Sequence, residues 1–259
     1  MSPMSADAKK VEEQASKAAE FLEGNLPAMV LTGAGISVES EIPPFRGPGG
    51  LWSKYDPMEY GHIETLKRDP EKAWILLWDI IRSSSGAKPN EAHRSLARME
   101  KKGWIGPVVT QNVDGLHILG GSSDVLEIHG NVRRMYCQQC GREEELVVER
   151  IDEFKPLCEC GGWKRPDIVF FGEALPDDVF GRSLKAASEY KSILIIGTSG
   201  IVYPAAMIPE EVKLRGGAVV EINPSRTPYT DRSTDQFIKA PATVGVVALE
   251  RALERLMKR

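Results

Sequence analysis

Two stretches decide how this chain is read: Val108-Val109-Thr110-Gln111-Asn112-Val113-Asp114-Gly115-Leu116-His117 and, shortly after it, Glu127-Ile128-His129-Gly130. In each, an apolar run turns abruptly polar. Pro107 to Thr110 and Val125 to Ile128 have the pattern of short buried strands, with an amide, a carboxylate and an imidazole at or just beyond their carboxyl ends. Open α/β sheets bind their ligands along that edge.

Similar apolar runs recur at Ala28-Met29-Val30-Leu31, at 193–197 and at 218–222, separated by helical patterns at 179–190 and 205–215. Residues 7–24 predict an amphipathic helix, with Val11, Ala15, Ala18 and Leu22 at helical spacing and Gly24 as its stop. Val246 to Lys258 closes the chain as another, with Leu249, Leu253 and Leu256 on one face. Strands alternating with helices predict a doubly wound parallel sheet, Rossmann-like and covered on both faces.

Two segments break the alternation. Residues 43–62 are rich in proline and glycine, and residues 132–166 hold all four cysteines with short alternating strands such as Glu145-Leu146-Val147-Val148. Both read as insertions that build a small second lobe. The expected division is a large lobe of approximately 7–48, 90–131 and 166–259, and a small lobe of approximately 49–89 (helical) and 132–165 (cysteine-bearing).

A chain of 259 residues with 42% hydrophobic content can bury one large core with such an insertion. A net charge of −4 with no basic run argues against direct nucleic-acid binding. The amino terminus lacks a signal-peptide pattern and no apolar run approaches a membrane span, so a cytoplasmic protein is expected. In that reducing setting the cysteines are thiols or metal ligands ahead of disulfides. The sequence sets no oligomeric state.

Gly33-Ala34-Gly35-Ile36-Ser37 follows the first strand and has the form of a phosphate-binding turn, in which glycines admit a pyrophosphate and a helix start offers free N–H groups. The dehydrogenase fingerprint fails here. Val38 stands where it needs a third glycine, and Pro43 to Gly50 cannot form the second strand that ends in its ribose-binding acid. Hydride transfer is therefore disfavoured. Gly197-Thr198-Ser199-Gly200 and Asn223-Pro224-Ser225 follow the later strands and place small polar residues on the same ligand-binding edge.

Asn112 and Asp114 together supply the donor and acceptor that fix the plane of a carboxamide. His129, at the end of its strand and followed by Gly130, which leaves room for a ligand beside it, has the ordinary imidazole pKa suited to general-base work at neutral pH. His93 reads as a helix cap or packing group, His62 as a loop residue and His117 as a packed neighbour of the site. Cys137-Gln138-Gln139-Cys140 and Cys158-Glu159-Cys160 have the spacing of a four-cysteine zinc ribbon, two disulfides being the alternative. Four thiolates leave no open position, so such a metal is structural.

In their order along the chain these motifs resemble the sirtuins, the NAD-consuming protein-lysine deacylases, over about residues 25 to 250. The resemblance implies NAD as a consumed co-substrate, a structural zinc, and an acyl-lysine peptide bound as an added strand. It places Gly33, Ala34, Gly35, Ser37, Val38, Phe45, Arg46, Gln111, Asn112, Val113, Asp114, His129, Gly197, Thr198, Ser199, Asn223, Pro224, Ser225 and Ala242 at the NAD. His129, Asn112 and Asp114 become catalytic, and Cys137, Cys140, Cys158 and Cys160 become zinc ligands. Val169, Phe170, Phe171, Gly172 and Glu173, with Val202 and Tyr203, flank the peptide. Pro44 stands where the family more often has Asp. The positions that hold a carboxylate in succinyl-selective sirtuins fall on Leu77 and Ile80, so acetyl or another apolar acyl group is the implied substrate. ADP-ribosyl transfer to a protein nucleophile, and a non-catalytic NAD-sensing or zinc-bearing module, remain as alternatives.

Overall fold

The structure is a computed structural model that describes residues 5–47 and 49–258. Among the described residues nine strands form two sheets: β1 (Ala28–Thr32), β2 (Ile105–Thr110), β3 (Val125–Glu127), β4 (Gly130–Cys137), β5 (Glu143–Glu145), β6 (Lys164–Ile168), β7 (Ser192–Ile196), β8 (Ala218–Asn223) and β9 (Gln236–Lys239). The larger sheet has the order β3-β2-β1-β7-β8-β9, and every pair in it is parallel. Counted within that sheet, the order is that of the doubly wound dinucleotide-binding folds. The chain reverses direction across the sheet between β1 and β7, which opens a crevice at their carboxyl ends.

Alternation along the strands divides the core. Ala28, Val30, Leu194, Ile196, Val220 and Ile222 pack with α1 (Ala6–Leu22), α5 (Glu91–Lys101) and α10 (Ala242–Leu256) on one face. Met29, Leu31, Ile193, Ile195 and Val219 pack with α7 (Asp177–Glu189) and α8 (Ile208–Leu214) on the other. Strands buried on both faces explain why β1, β7 and β8 read as continuous apolar runs.

The helical insertion holds α2 (Pro57–Tyr60), α3 (Ile63–Arg68) and α4 (Pro70–Ser84); beyond β2 lie the short α6 (Leu116–Leu119) and, after β8, α9 (Pro228–Arg232). α4 starts at Pro70 with the Asp69 side chain accepting from Lys72 N–H, a proline-first arrangement that loses no helical hydrogen bond. Its buried face, Trp74, Leu77 and Ile81 among others, packs against Val132, Met135, Leu146 and Val148 beside the antiparallel sheet β5-β4-β6. The Trp74 Nε1–H donates to the Lys164 carbonyl at 3.0 Å and ties helix to sheet.

Two expectations need correction. Glu145 to Val148 is not a strand: β5 ends at Glu145, and Val148 opens a 3₁₀ segment in which it is fully buried. The alternation read there comes from packing against α4, not from strand pairing. Conversely β9 carries no apolar run, since Gln236-Phe237-Ile238-Lys239 is an edge strand with only Ile238 fully buried.

Candidate active site

The glycine turn after β1 does not become an α-helix but two short 3₁₀ turns, Ala34–Ile36 and Val38–Ser40. Its N–H groups are partly engaged: Gly33 donates to the Ile196 carbonyl (3.1 Å) and Gly35 to that of Gly197 (2.8 Å). A Cβ on Gly35 would lie 2.6 Å from the Gly197 Cα. That glycine is needed first for the turns after β1 and β7 to pack on each other. The close packing brings the two turns to one rim of the crevice.

Gln111, Asn112 and Asp114 follow β2, which pairs with β1 through Thr32 and Thr110. Gln111 N–H donates to the Thr32 carbonyl (3.0 Å), and its side-chain amide donates to Thr198 Oγ1 (2.8 Å), so this loop spans from the first turn to the later one. Asn112 Nδ2 donates to Ser37 Oγ (3.1 Å), and Ser37 Oγ donates to Asp114 Oδ2 (2.7 Å). Leu116 N–H donates to the other oxygen, Asp114 Oδ1, at 2.9 Å. Burial pushes the Asp114 carboxyl above its ordinary pKa, against the lowering by the Leu116 N–H and the Ser37 hydroxyl.

His129 precedes β4, and its Nδ1 lies 3.0 Å from the Gln111 carbonyl oxygen. A carbonyl only accepts, so the proton sits on Nδ1 and Nε2 keeps its lone pair. Burial lowers the His129 pKa, only partly countered by the Gln111 carbonyl, so the ring is neutral at pH 7 and able to take a proton. Gly130 has φ 80°, and a Cβ there would sit 1.9 Å from the Asp167 carbonyl oxygen. Its small size makes room for β6, not for a ligand as the sequence implied.

A cavity of about 510 Å³ opens along this rim, within the range of small-molecule sites. Gly33, Ala34, Gly35, Phe45, Arg46, Gln111, Asn112, Val113 and His129 border it, as do Gly197, Thr198, Ser199, Asn223 and Ser225. So do Val169 to Glu173, Val202 and Tyr203. Ser37 and Asp114 instead border an adjoining recess of about 20 Å³ beneath Pro43 and Phe45. Val38, Pro224 and Ala242 border neither. Val38 is 43% exposed, while Ala242 starts α10, where Glu39 accepts from Thr243 N–H at 2.9 Å.

Sequence reasoning missed Trp52, Leu76 and Leu175 in the cavity wall. Trp52 packs against Phe45 (ring centroids 5.2 Å) and Phe171 (5.8 Å), and its backbone N–H donates to the Phe45 carbonyl (2.9 Å), which holds the proline-rich loop against the cavity. Pro44 is part of that loop, its carbonyl accepting from Leu51 N–H at 3.0 Å. Leu76 shares α4 with Leu77 and Ile80, and the three make an apolar wall.

The chain matches the Sir2 family over residues 33–204. It belongs to the Sir2 family. A relative from Sulfolobus acidocaldarius named NAD-dependent protein deacetylase is 45% identical over 231 residues, covering 88% of this chain and 90% of the relative. One from Aquifex aeolicus named NAD-dependent protein deacylase is 42% identical, covering 86% and 93%. Among solved structures, a Sir2 homologue in complex with NAD has a TM-score of 0.83 at 36% identity, covering 99% of this Sir2 chain and 96% of that one. A Sir2 variant with deacetylated p53 peptide and 3′-O-acetyl ADP ribose has a TM-score of 0.85 at 35% identity, covering 91% and 96%.

The four cysteines of this Sir2 chain gather at one point, all four Sγ atoms lying within 4.8 Å of one another. Cys137 and Cys160 are 3.5 Å apart at sulfur, Cys140 and Cys158 3.8 Å, far beyond a disulfide bond. Sulfurs at about 2.3 Å from a tetrahedral zinc stand about 3.8 Å from one another, so the cluster fits that ion. Cys137 is the last residue of β4, and Cys158 N–H donates to the Gly162 carbonyl (2.8 Å), closing the turn that carries Cys158 and Cys160.

Proposed function

We propose that this Sir2 protein removes acyl groups from protein lysine side chains, consuming NAD and releasing nicotinamide, free lysine and O-acyl-ADP-ribose. The observation that carries it is the neutral His129 with its free Nε2, bordering one cavity with the Gly33–Gly35 turn, Asn112 and Asn223. NAD fits this setting: a polar rim at the turns after β1, β7 and β8, and an apolar wall from α4. The acyl oxygen displaces nicotinamide at the anomeric carbon. His129 then takes the proton of a ribose hydroxyl through Nε2, that oxygen attacks the acyl carbon, and water completes the release of lysine. Phe45, held by Trp52, covers the reacting carbon against water.

The recess between Ser37, Asn112 and Asp114 receives the nicotinamide. At about 20 Å³ it holds little more than a water, so the loop carrying Pro43 and Phe45 moves for the ring to enter. Gln111, Val113, Thr198, Ser199 and Arg46 contact the phosphates and riboses, and Asn223 with Ser225 the adenosine ribose. Cys137, Cys140, Cys158 and Cys160 hold a structural zinc, which cross-links the turns at one end of the antiparallel sheet.

The peptide enters as a strand between Gly172 and Ile201 to Tyr203. Phe171 cannot be its main-chain partner, because Phe171 N–H donates to Gly61 and its carbonyl accepts from Ile63 (3.0 and 2.9 Å). Main-chain pairing there gives affinity with little demand on the peptide sequence. The lysine stem passes Val169, Phe170 and Val202 towards the wall of Leu76, Leu77 and Ile80, which suits acetyl or another apolar acyl group.

The chain divides into a small lobe, approximately 49–89 and 132–165, and a large lobe of approximately 7–48, 90–131 and 166–259; a hydrophobic cluster drawn mostly from Leu51 to Ile81 and Val132 to Ile151, and reaching Ile168 and Phe170 of the large lobe, supports the division. Four cysteines gathered as thiols favour a reducing cytoplasm. No described helix is long and apolar enough to cross a membrane.

Mass spectrometry of an acetyl-lysine peptide incubated with and without NAD tests the assignment. A peptide lighter by one acetyl, with matching nicotinamide and acetyl-ADP-ribose only when NAD is present, is expected. NAD consumption with ADP-ribose attached to protein and the peptide unchanged would replace deacylation by ADP-ribosyl transfer.

A further inference from the structure

Beyond β8 the cavity wall continues from Asn223 through Ser225, Arg226 and Thr227. In dinucleotide-binding folds an acid at the end of the second strand bonds the adenosine 2′-hydroxyl, whereas a nearby arginine accommodates a phosphate on that oxygen; in this cavity the end of β8 takes that place. This chain has the second composition: an amide, a hydroxyl and a guanidinium in succession along the wall.

The nearby acids are both engaged. Glu221 is fully buried beneath the loop and accepts from the hydroxyls of Thr227 (2.6 Å), Thr230 (2.6 Å) and Thr234 (3.0 Å). Asp231 accepts through one oxygen, Oδ1, from Arg226 Nε (3.2 Å) and Nη2 (2.5 Å), and no described residue accepts from Nη1. The Arg226 side chain is 65% exposed, which leaves its guanidinium free to turn towards the cavity mouth. Its backbone is held at both sides: Asn223 Nδ2 donates to the Thr198 carbonyl (2.9 Å), and Thr227 is bound to Glu221. A cation on a fixed turn, whose carboxylate partner is the exposed Asp231, can exchange that pair for a phosphate.

We propose that the adenosine end of this site accepts a dinucleotide phosphorylated on the adenosine 2′-oxygen, NADP, in competition with NAD, with Arg226 and Ser225 holding the added phosphate. The proposal rests on the reading of this cavity as the NAD site. The phosphorylated oxygen belongs to the adenosine ribose, so the ribose that receives the acyl group is unchanged.

Calorimetric titration of the full chain with NADP and with NAD, beside nicotinamide release from an acetyl-lysine peptide, tests it. NADP is expected to displace NAD, with a dissociation constant within about tenfold of it. Arg226→Glu should weaken NADP relative to NAD by about tenfold or more through like-charge repulsion, Arg226→Lys should retain most of the affinity, and Asp231→Asn should raise it. NAD bound and consumed with no displacement by NADP at about 1 mM would overturn the proposal and leave the NAD site standing. Equal weakening of both dinucleotides by Arg226→Glu would also overturn it, as loop damage. Failure of both dinucleotides to bind would overturn both readings together.

Discussion

His129 donates its Nδ1 proton to the Gln111 carbonyl at 3.0 Å, and this one bond sets the tautomer that leaves the Nε2 lone pair free for the base role proposed for it. Because burial lowers the His129 pKa, protonation removes the base only below the ordinary imidazole value of 6.5. Lysine release should therefore be level from pH 7 to 8 and fall on the acid side of 6.5. His129→Ala should lower lysine release by about 10²–10⁴-fold while nicotinamide exchange persists, because the proton is taken only after nicotinamide has left. Loss of exchange to the same degree would move His129 to the earlier step.

The cysteine cluster predicts a protein whose small sheet depends on metal. Metal analysis should find about one zinc per chain. Cys140→Ser, or dialysis against a strong chelator, should release it and lower the thermal transition by several degrees, because four thiolates brought together without an ion give no cross-link between the strands. The six-stranded sheet carries its own core and should keep its circular dichroism. An unchanged transition after complete zinc removal would show that hydrogen bonding alone closes the turns.

Much of this was legible because the signals are local. Ile193 to Ile196 is apolar at every position since both its faces are covered, and the polar residue after each such strand marks the sheet edge. What escaped depends on three dimensions. Trp52 and Leu76 sit in segments whose patterns read as loop and helix, and only the fold sets Trp52 against Phe45 and Phe171 and brings Leu76 to the same cavity. Gly35 and Gly130 announce themselves in the sequence, but as ligand-approach glycines; the neighbours that require them, Gly197 and Asp167, lie far along the chain. Phe171 looked like an open edge and is already paired with the loop around His62.

Beneath the site His93 and His117 meet with ring centroids 4.9 Å apart, both fully buried or nearly so. Burial pushes His93 down to about 4, with the Arg94 charge adding to it, and burial also holds His117 well below its ordinary value, with the His93 ring opposing charge there. The unfolded chain thus binds these protons first. Their contribution to stability is complete above about pH 6.5 and is lost as pH falls towards about 4, so His93 alone should remove about 2 kcal/mol between pH 7 and pH 5. Urea unfolding across that range should show the decline, and His93→Gln should flatten it. A pH-independent midpoint would mean that the folded protein binds these protons as readily as the unfolded chain.

Leu76, Leu77 and Ile80 present no cation to an acyl carboxylate. Burying that carboxylate unpaired costs several kcal/mol, so acetyl-lysine should be processed at least about 100-fold faster than succinyl-lysine at equal concentration. Ile80→Arg should narrow the ratio by restoring a partner. Parallel kcat/KM measurements on the two peptides decide it, and comparable rates would place the acyl chain elsewhere in the cavity.

Arg165, only 4% exposed, forks onto Glu173 with Nη1 to Oε1 at 2.7 Å and Nη2 to Oε2 at 2.8 Å, and its guanidinium lies over the Phe170 ring. Glu173 Oε2 also accepts from Phe170 N–H at 2.8 Å, so the pair clamps the turn of Phe170 to Glu173 that borders the proposed peptide groove. Burial pushes the Glu173 carboxyl up, but the Arg165 guanidinium and the Phe170 N–H more than reverse that and hold it below its ordinary value. Glu173→Gln strands a buried cation and should cost about 3 kcal/mol of stability, while replacing both partners by methionine should recover most of that loss. Methionine at 173 does not restore the bond to Phe170 N–H. If the clamp shapes the groove, the double variant should regain the thermal midpoint yet keep a raised KM for peptide against a KM for NAD that moves little. Recovery of both together would reduce the pair to a stabilising contact.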